Sequence, residues 1–202
     1  MTDKILRGIS FFFHPLFMPL LGVIFYFSKT PRFIPQEVMR AKLISLGILT
    51  IILPILIYFL LNTIRKANSI YLKTTKERIL PLALNSLIIL IILKRIITPT
   101  QIIELYYFFV GILISNITCL ILAIMKFKAS IHMIAVSGVF MFFIAISIHF
   151  SININGTLAL MVVILGAVAT SRLHLKAHNA TELILGFFIG LLPQLILVKY
   201  WL

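Results

Sequence analysis

Acidic side chains are scarce in this sequence: five Asp and Glu stand against eighteen Lys and Arg in 202 residues, a formal charge of +13. Charge of either sign is rare as well. Only 11% of residues are charged and 61% are hydrophobic, and the mean hydropathy of +1.15 excludes an ordinary soluble domain. Cysteine occurs once, as Cys119 inside an apolar run, which excludes an intrachain disulfide and a cysteine metal site and leaves the thiol a packing role. Repeats and low-complexity linkers are missing, and no stretch is left over for a separate soluble unit, so residues 1–202 read as a single integral membrane domain. The first run, FFFHPLFMPLLGVIFYF, lacks a small-residue cleavage site and is expected to stay as a first span. An excess of cations in a soluble protein would suggest nucleic acid. Here the basic residues sit at the ends of apolar runs, where they meet lipid headgroups, so membrane lipids and no nucleic acid are expected as partners.

What the sequence has in quantity is Leu, Ile and Phe, gathered in seven apolar segments: Ile9 to Phe27, Leu43 to Leu61, Ile79 to Ile97, Ile102 to Met125, Ile131 to Phe150, Leu158 to Ala169 and Leu183 to Leu197. Strands of an outer-membrane barrel would alternate over about 10 residues, and these runs do not. The fold class is therefore all-α, a polytopic transmembrane helix bundle of six or seven spans, the sixth being short and the third carrying Lys94 and Arg95 near its end. Pro15, Pro19, Pro54 and Pro81 fall in spans or at their starts, where kinks are expected.

Three polar connections concentrate cations and hydroxyls: KTTKERILP (Lys73 to Pro81), KFKASIHM (Lys126 to Met133) and SRLHLKAHNATE (Ser171 to Glu182). Two apolar segments separate each from the next, so all three emerge on one face of the membrane and can converge. Such a cluster suits a multiply charged oxyanion, phosphate above all: Arg offers a planar fork, Lys a point charge, Ser a neutral donor. Histidine near neutrality can attack phosphorus or protonate a leaving oxygen. His178 and Glu182 are four apart, which on a helix lets the carboxylate hold one ring nitrogen while the other faces a substrate.

With these residues in place the chain resembles the type 2 phosphatidic acid phosphatase superfamily, membrane lipid phosphatases related to vanadium haloperoxidases, whose signatures read KxxxxxxRP, PSGH and SRxxxxxHxxxD. Ser171, Arg172, His178 and Glu182 follow the third, with Glu in place of Asp. Ala129, Ser130, Ile131 and His132 stand where the second has Pro, Ser, Gly and His. Lys73 and Pro81 keep the spacing of the first, Leu80 replaces its Arg, and Arg78 is where many members carry an additional Arg. The likeness covers about residues 70 to 195 and has the look of a divergent bacterial-type member. It implies a metal-independent, cofactor-free hydrolase acting on a lipid phosphate or isoprenoid diphosphate. In that scheme His178 is the nucleophile that forms a phosphohistidine, Glu182 its orienter and His132 the acid. Lys73, Arg78, Ser130, Ser171 and Arg172 hold the phosphate. It also implies a multi-pass protein of a bacterial cytoplasmic membrane with its active site on the outer face. The count of Lys and Arg on the two faces does not decide orientation once phosphate ligands are set aside.

Other readings stay open from the residues. Leu80 and Ile131 suit a non-catalytic member that binds or flips anionic lipids, and a lipid phosphotransferase would use the same residues. A small transporter is disfavoured by the near absence of intramembrane charge. Asn179 and Glu182 have the spacing of a helix-capping pair. Lys126, Lys128 and Lys176 read as interface anchors, His174 as an interface residue, and His132 alone as a satisfied polar group. His14 belongs to a kinked start of the first span with the option of lining a substrate entrance. His149 has no assigned role, and Glu104 reads as a solvated headgroup-level charge. Oligomeric state is not visible.

Overall fold

The structure, a computed structural model, describes residues 2–63 and 74–202, and every regular element among them is helical. In chain order these are α1 (Thr2–Phe12), α2 (Met18–Lys29), α3 (Gln36–Gly47), α4 (Leu53–Thr63), α5 (Thr75–Arg95), α6 (Ile103–Ile124), α7 (Ile131–His149), α8 (Asn155–His174) and α9 (Ala180–Leu197). Among the described residues five helices are long and apolar enough to cross a membrane: the continuous run Gln36–Thr63, then α6, α7, α8 and Ala180–Tyr200.

The first apolar segment, expected as one span, is two helices. Pro15 has no N–H to donate and disfavours helical backbone at His14, so α1 stops at Phe12 and an irregular turn through Phe17 leads into α2, which begins Met18-Pro19. α1 packs along the end of α8. It buries Leu6 and Ser10 and exposes Lys4, Ile5, Arg7, Phe11 and Phe12, the two-faced pattern of a helix lying at a membrane surface. Pro54 explains the second irregularity. Lacking an N–H for the Thr50 carbonyl, it accompanies a π turn over Ile48–Ile52 that joins α3 to α4. α5 starts earlier than its apolar segment because Thr74 caps it, accepting from the Glu77 N–H at 3.3 Å. Lys76, Glu77 and Arg78 at one end and Lys94 and Arg95 at the other keep it out of the five. α8 runs well beyond its short apolar core, so Ser171 and Arg172 sit on its last turn rather than in a loop.

α7 forms the centre, packed against α9, α8, α2 and α6. Its tightest contact is with α9, made possible by Gly186 and Gly190, spaced four apart as in small-residue membrane helix pairs. A Cβ on Gly186 would lie 2.8 Å from the Ser130 carbonyl oxygen, and one on Gly190 would collide with the Ile134 carbonyl and the Ser137 hydroxyl. Phe142 stacks on Phe108 of α6 with centroids 4.2 Å apart, and Phe25 of α2 stacks on Phe143 at 3.8 Å. Asn116 ties α6 to α5, its Nδ2 donating to the Leu82 carbonyl at 2.8 Å and to the Ser86 hydroxyl at 2.7 Å.

Glu104, expected at headgroup level in water, is instead fully buried at the start of α6. Arg32 Nη2 lies 2.8 Å and His149 Nε2 3.2 Å from its Oε1, and the Tyr26 hydroxyl donates to Oε2 at 3.2 Å. A carboxylate loses its water there only because three partners arriving from distant segments replace it. His149 is thus part of this tie. His14 contacts His132 at the head of α7, while Arg32 reaches Glu104 at the head of α6. The stretch from 14 to 32 therefore runs from one end of the bundle to the other.

Candidate functional site

The three polar stretches meet at one end of the bundle. Arg78, buried in the first turn of α5, donates from Nη1 to the Ala129 carbonyl at 2.8 Å. The Ser130 N–H donates to the Glu182 carbonyl at 3.1 Å, and Lys128 Nζ donates to the Ala177 carbonyl at 3.0 Å. Arg78 and Arg172 both act electrostatically on His178. Lys73 lies outside the described residues. Leu80 and Ile131 have simple packing places. Positions 78 and 80 face opposite sides of α5, so Arg78 turns inward and Leu80 is exposed. Ile131 packs against the small cluster of Leu82, Cys119, Ala123, Ala129 and Ile134.

His178 sits in the turn between α8 and α9. Its Nδ1 donates to Glu182 Oε2 at 2.6 Å, which leaves Nε2 as the lone-pair nitrogen of the neutral ring. The same carboxylate oxygen accepts from the Asn179 N–H at 3.3 Å, and Asn179 Oδ1 accepts from the Glu182 N–H at 2.9 Å. The capping pair and the histidine partner are therefore one arrangement, in which the helix cap fixes the carboxylate that fixes the imidazole. Burial pushes His178 down to about 4, with Arg78 and Arg172 acting in the same direction and the Glu182 hydrogen bond opposing them. The ring is neutral at pH 7. Lys128 is lowered by burial and by the neighbouring arginines, against the pull of Glu182. A surface depression of about 390 Å³, lined by Lys128, Lys176, His178, Asn179 and Glu182 among others, opens at this point.

Ser130 caps α7 with its Oγ fully buried and without a hydrogen-bond partner among the described residues. A buried hydroxyl at a helix N-terminus, next to cations, has a hydrogen to donate. Lys126 and Lys176, in the connections that bear the second and third stretches, hold left-handed backbone with φ of 65° and 51°. Each follows a helix end closed by a pair of hydrogen bonds, Phe127 N–H to Leu122 O and Lys126 N–H to Ala123 O in the first case.

The last part of the cluster comes from α1. Ser171 donates its hydroxyl hydrogen to the Leu6 carbonyl at 2.7 Å, so in the 2.7 Å contact with Ser10 it is the Ser10 hydroxyl that donates. Arg172 Nη1 donates in turn to Ser10 Oγ at 3.4 Å. His132 Nε2 lies 3.2 Å from the Ser10 carbonyl, which only accepts, so Nε2 carries hydrogen and Nδ1 is the nitrogen left over. The ring of His14 stands edge-on to His132 with centroids 5.4 Å apart. His174 leaves the cluster and binds Asp3 at 2.7 Å. Sequence reasoning passed over Ser10; its only signal was to be the one hydroxyl in the run from Ile5 to Phe13. Among the described residues no group of three His, Cys, Asp or Glu side chains is placed to hold a metal ion. The chain matches no family model, no curated protein and no solved structure.

Proposed function

We propose that the protein is an integral membrane phosphatase that hydrolyses a phosphomonoester or diphosphate of a lipid or isoprenoid through a phosphohistidine. The observation that carries this reading is His178: a buried imidazole, neutral at pH 7, with Nδ1 held by Glu182 and two arginines beside it. The neutral Nε2 lone pair attacks phosphorus, and the bond from phosphorus to the lipid oxygen breaks. That oxygen takes up the proton of the monoprotonated phosphate, relayed by the Nδ1 lone pair of His132. Water then attacks the phosphohistidine, giving a proton to His132 Nδ1 as the P–N bond breaks, and that proton leaves with the inorganic phosphate. Arg78, Arg172, Ser130 and Lys73 bind the equatorial oxygens, and Ser171 braces Arg172 against α1.

Seven crossings fit the geometry: the stretch from 14 to 32, the run Gln36–Thr63, then α5 through α9. On this reading the site lies at the level of the headgroups, where a lipid tail stays among the helices while its phosphate reaches the cations. By the family resemblance the setting is a bacterial cytoplasmic membrane with the site on its outer face. A binding-only reading is favoured by one observation, that the His132 Nε2–H and the Ser171 hydroxyl are both committed to α1. The test is phosphate release by detergent-purified wild type and His178→Ala, with chelator present. The panel comprises phosphatidate, phosphatidylglycerol phosphate, a sphingolipid phosphate and undecaprenyl diphosphate. Release by wild type that is lost in the variant is expected. No release by wild type on any substrate would reject the phosphatase and select the binding-only reading, and appearance of a phosphorylated acceptor in place of inorganic phosphate would make the enzyme a phosphotransferase.

A further inference from the structure

The three polar stretches are joined by a fourth segment. We infer that Ser10, on α1, is a positioning residue of the anion site, holding Arg172 through its hydroxyl and His132 through its carbonyl. The inference rests on the phosphatase reading for its chemistry and on the geometry for its residue.

Proton accounting gives the chain of hydrogen bonds a single direction. Arg172 Nη1 donates to Ser10 Oγ, Ser10 donates to Ser171 Oγ, and Ser171 donates to the Leu6 carbonyl, one turn before Ser10 on the same helix. Ser10 and Ser171 are both buried, at 8% and 0% exposure, so water does not replace these bonds. α1 thus sets where the end of α8 places its arginine. The backbone of the same residue sets the tautomer of His132: with Nε2–H given to the Ser10 carbonyl, Nδ1 is the nitrogen that gains and loses a proton. The part α1 plays for His132 is the part Glu182 plays for His178, each fixing one ring nitrogen so that the other is available. Nothing on α1 has to touch the substrate for this. The effect of Ser10 is transmitted through Arg172 and His132.

Ser10→Ala removes the hydroxyl link and keeps the carbonyl, so it loosens Arg172 and leaves the His132 tautomer in place. Its expected signature is a KM for the lipid phosphate raised about tenfold with kcat changed less than about twofold, the size of one charge-assisted hydrogen bond acting on binding. Ser10→Thr keeps the hydroxyl and is expected to restore KM. Ser10→Cys keeps the volume with a weaker hydrogen bond and is expected to fall between them, which preserves the test should the alanine variant fail to fold. In parallel, the affinity of the same purified proteins for inorganic phosphate is measured by titration calorimetry. Weaker phosphate binding by the alanine variant, restored by threonine, would support the positioning role even if no lipid phosphate were hydrolysed, so the inference does not fall with the phosphatase reading. A KM and a phosphate affinity unchanged in a folded alanine variant would overturn it. So would a threonine variant no better than alanine, and so would wild-type protein that binds no phosphate.

Discussion

His178 is the residue on which the proposed chemistry turns, and its surroundings push in opposite directions. Burial and two arginines disfavour the imidazolium, the Glu182 hydrogen bond favours it, and burial is the largest of these. The imidazole is therefore already neutral well below pH 7. The acid limb of kcat/KM is expected with a midpoint near 4; a limb at 6.5, the value of an unperturbed histidine, would contradict the burial. The same shift links pH to stability. Between about 6.5 and 4 the unfolded chain binds a proton at this position that the folded chain refuses, so folded stability falls as pH is lowered through that window. Thermal melts in detergent at pH 7 and pH 4.5 check the sign. Glu182→Gln keeps an acceptor for the helix cap but exchanges a charged partner of the ring for a neutral one. A loss of about 10- to 100-fold in kcat is expected, against a much larger loss in His178→Ala.

At the scale of elements, the contact between α7 and α9 decides whether the site exists. Gly186 and Gly190 let the two backbones close until the Ser130 N–H reaches the Glu182 carbonyl. Gly190→Ala puts a methyl group into the Ile134 carbonyl, and since that neighbour is backbone it does not swing aside. A destabilisation of at least about 1 to 3 kcal/mol is expected, read as a lower melting temperature, whereas alanine at Gly8, which has open space around it, serves as the neutral control. Lys126→Gly is expected to act the other way. Glycine removes the cost of a side chain in left-handed backbone, a gain of about 1 kcal/mol. Much of this element layer was legible in the sequence. Long apolar runs set α6, α7 and α9 to within a few residues, and spacing alone put His178 and Glu182 on one face. The break at His14-Pro15 was legible only as a kink, because proline marks a bend but does not show that the helix stops and a new one starts. The burial of Glu104 was not legible, because it depends on Arg32 and His149 arriving from remote parts of the chain. Ser10 was illegible for the same reason: its importance comes from what packs against it.

At the scale of the molecule the two ends of the bundle differ. At one end a single buried carboxylate is held by Arg32, His149 and Tyr26, a closed arrangement that ties α2, α6 and α7 together. At the other, Arg78, Lys128 and Arg172 bind the Ala129 carbonyl, the Ala177 carbonyl and the Ser10 hydroxyl around His178, whose carboxylate partner also caps α9. Ser130 there has a buried hydroxyl without a partner among the described residues. The cations and this hydroxyl stand at the head of α7 and α9, a position set by the close contact of those two helices. The central claim is that this end carries a phosphoryl group covalently on His178. The most direct measurement is rapid acid-free quenching of the purified protein during turnover of a lipid phosphate, with mass spectrometry of the peptide bearing residue 178. The account expects a phosphate adduct on His178 in wild type that accumulates when His132 is replaced by Ala and is absent from His178→Ala. Turnover with no adduct at that residue, or an adduct that persists when His178 is removed, would contradict it.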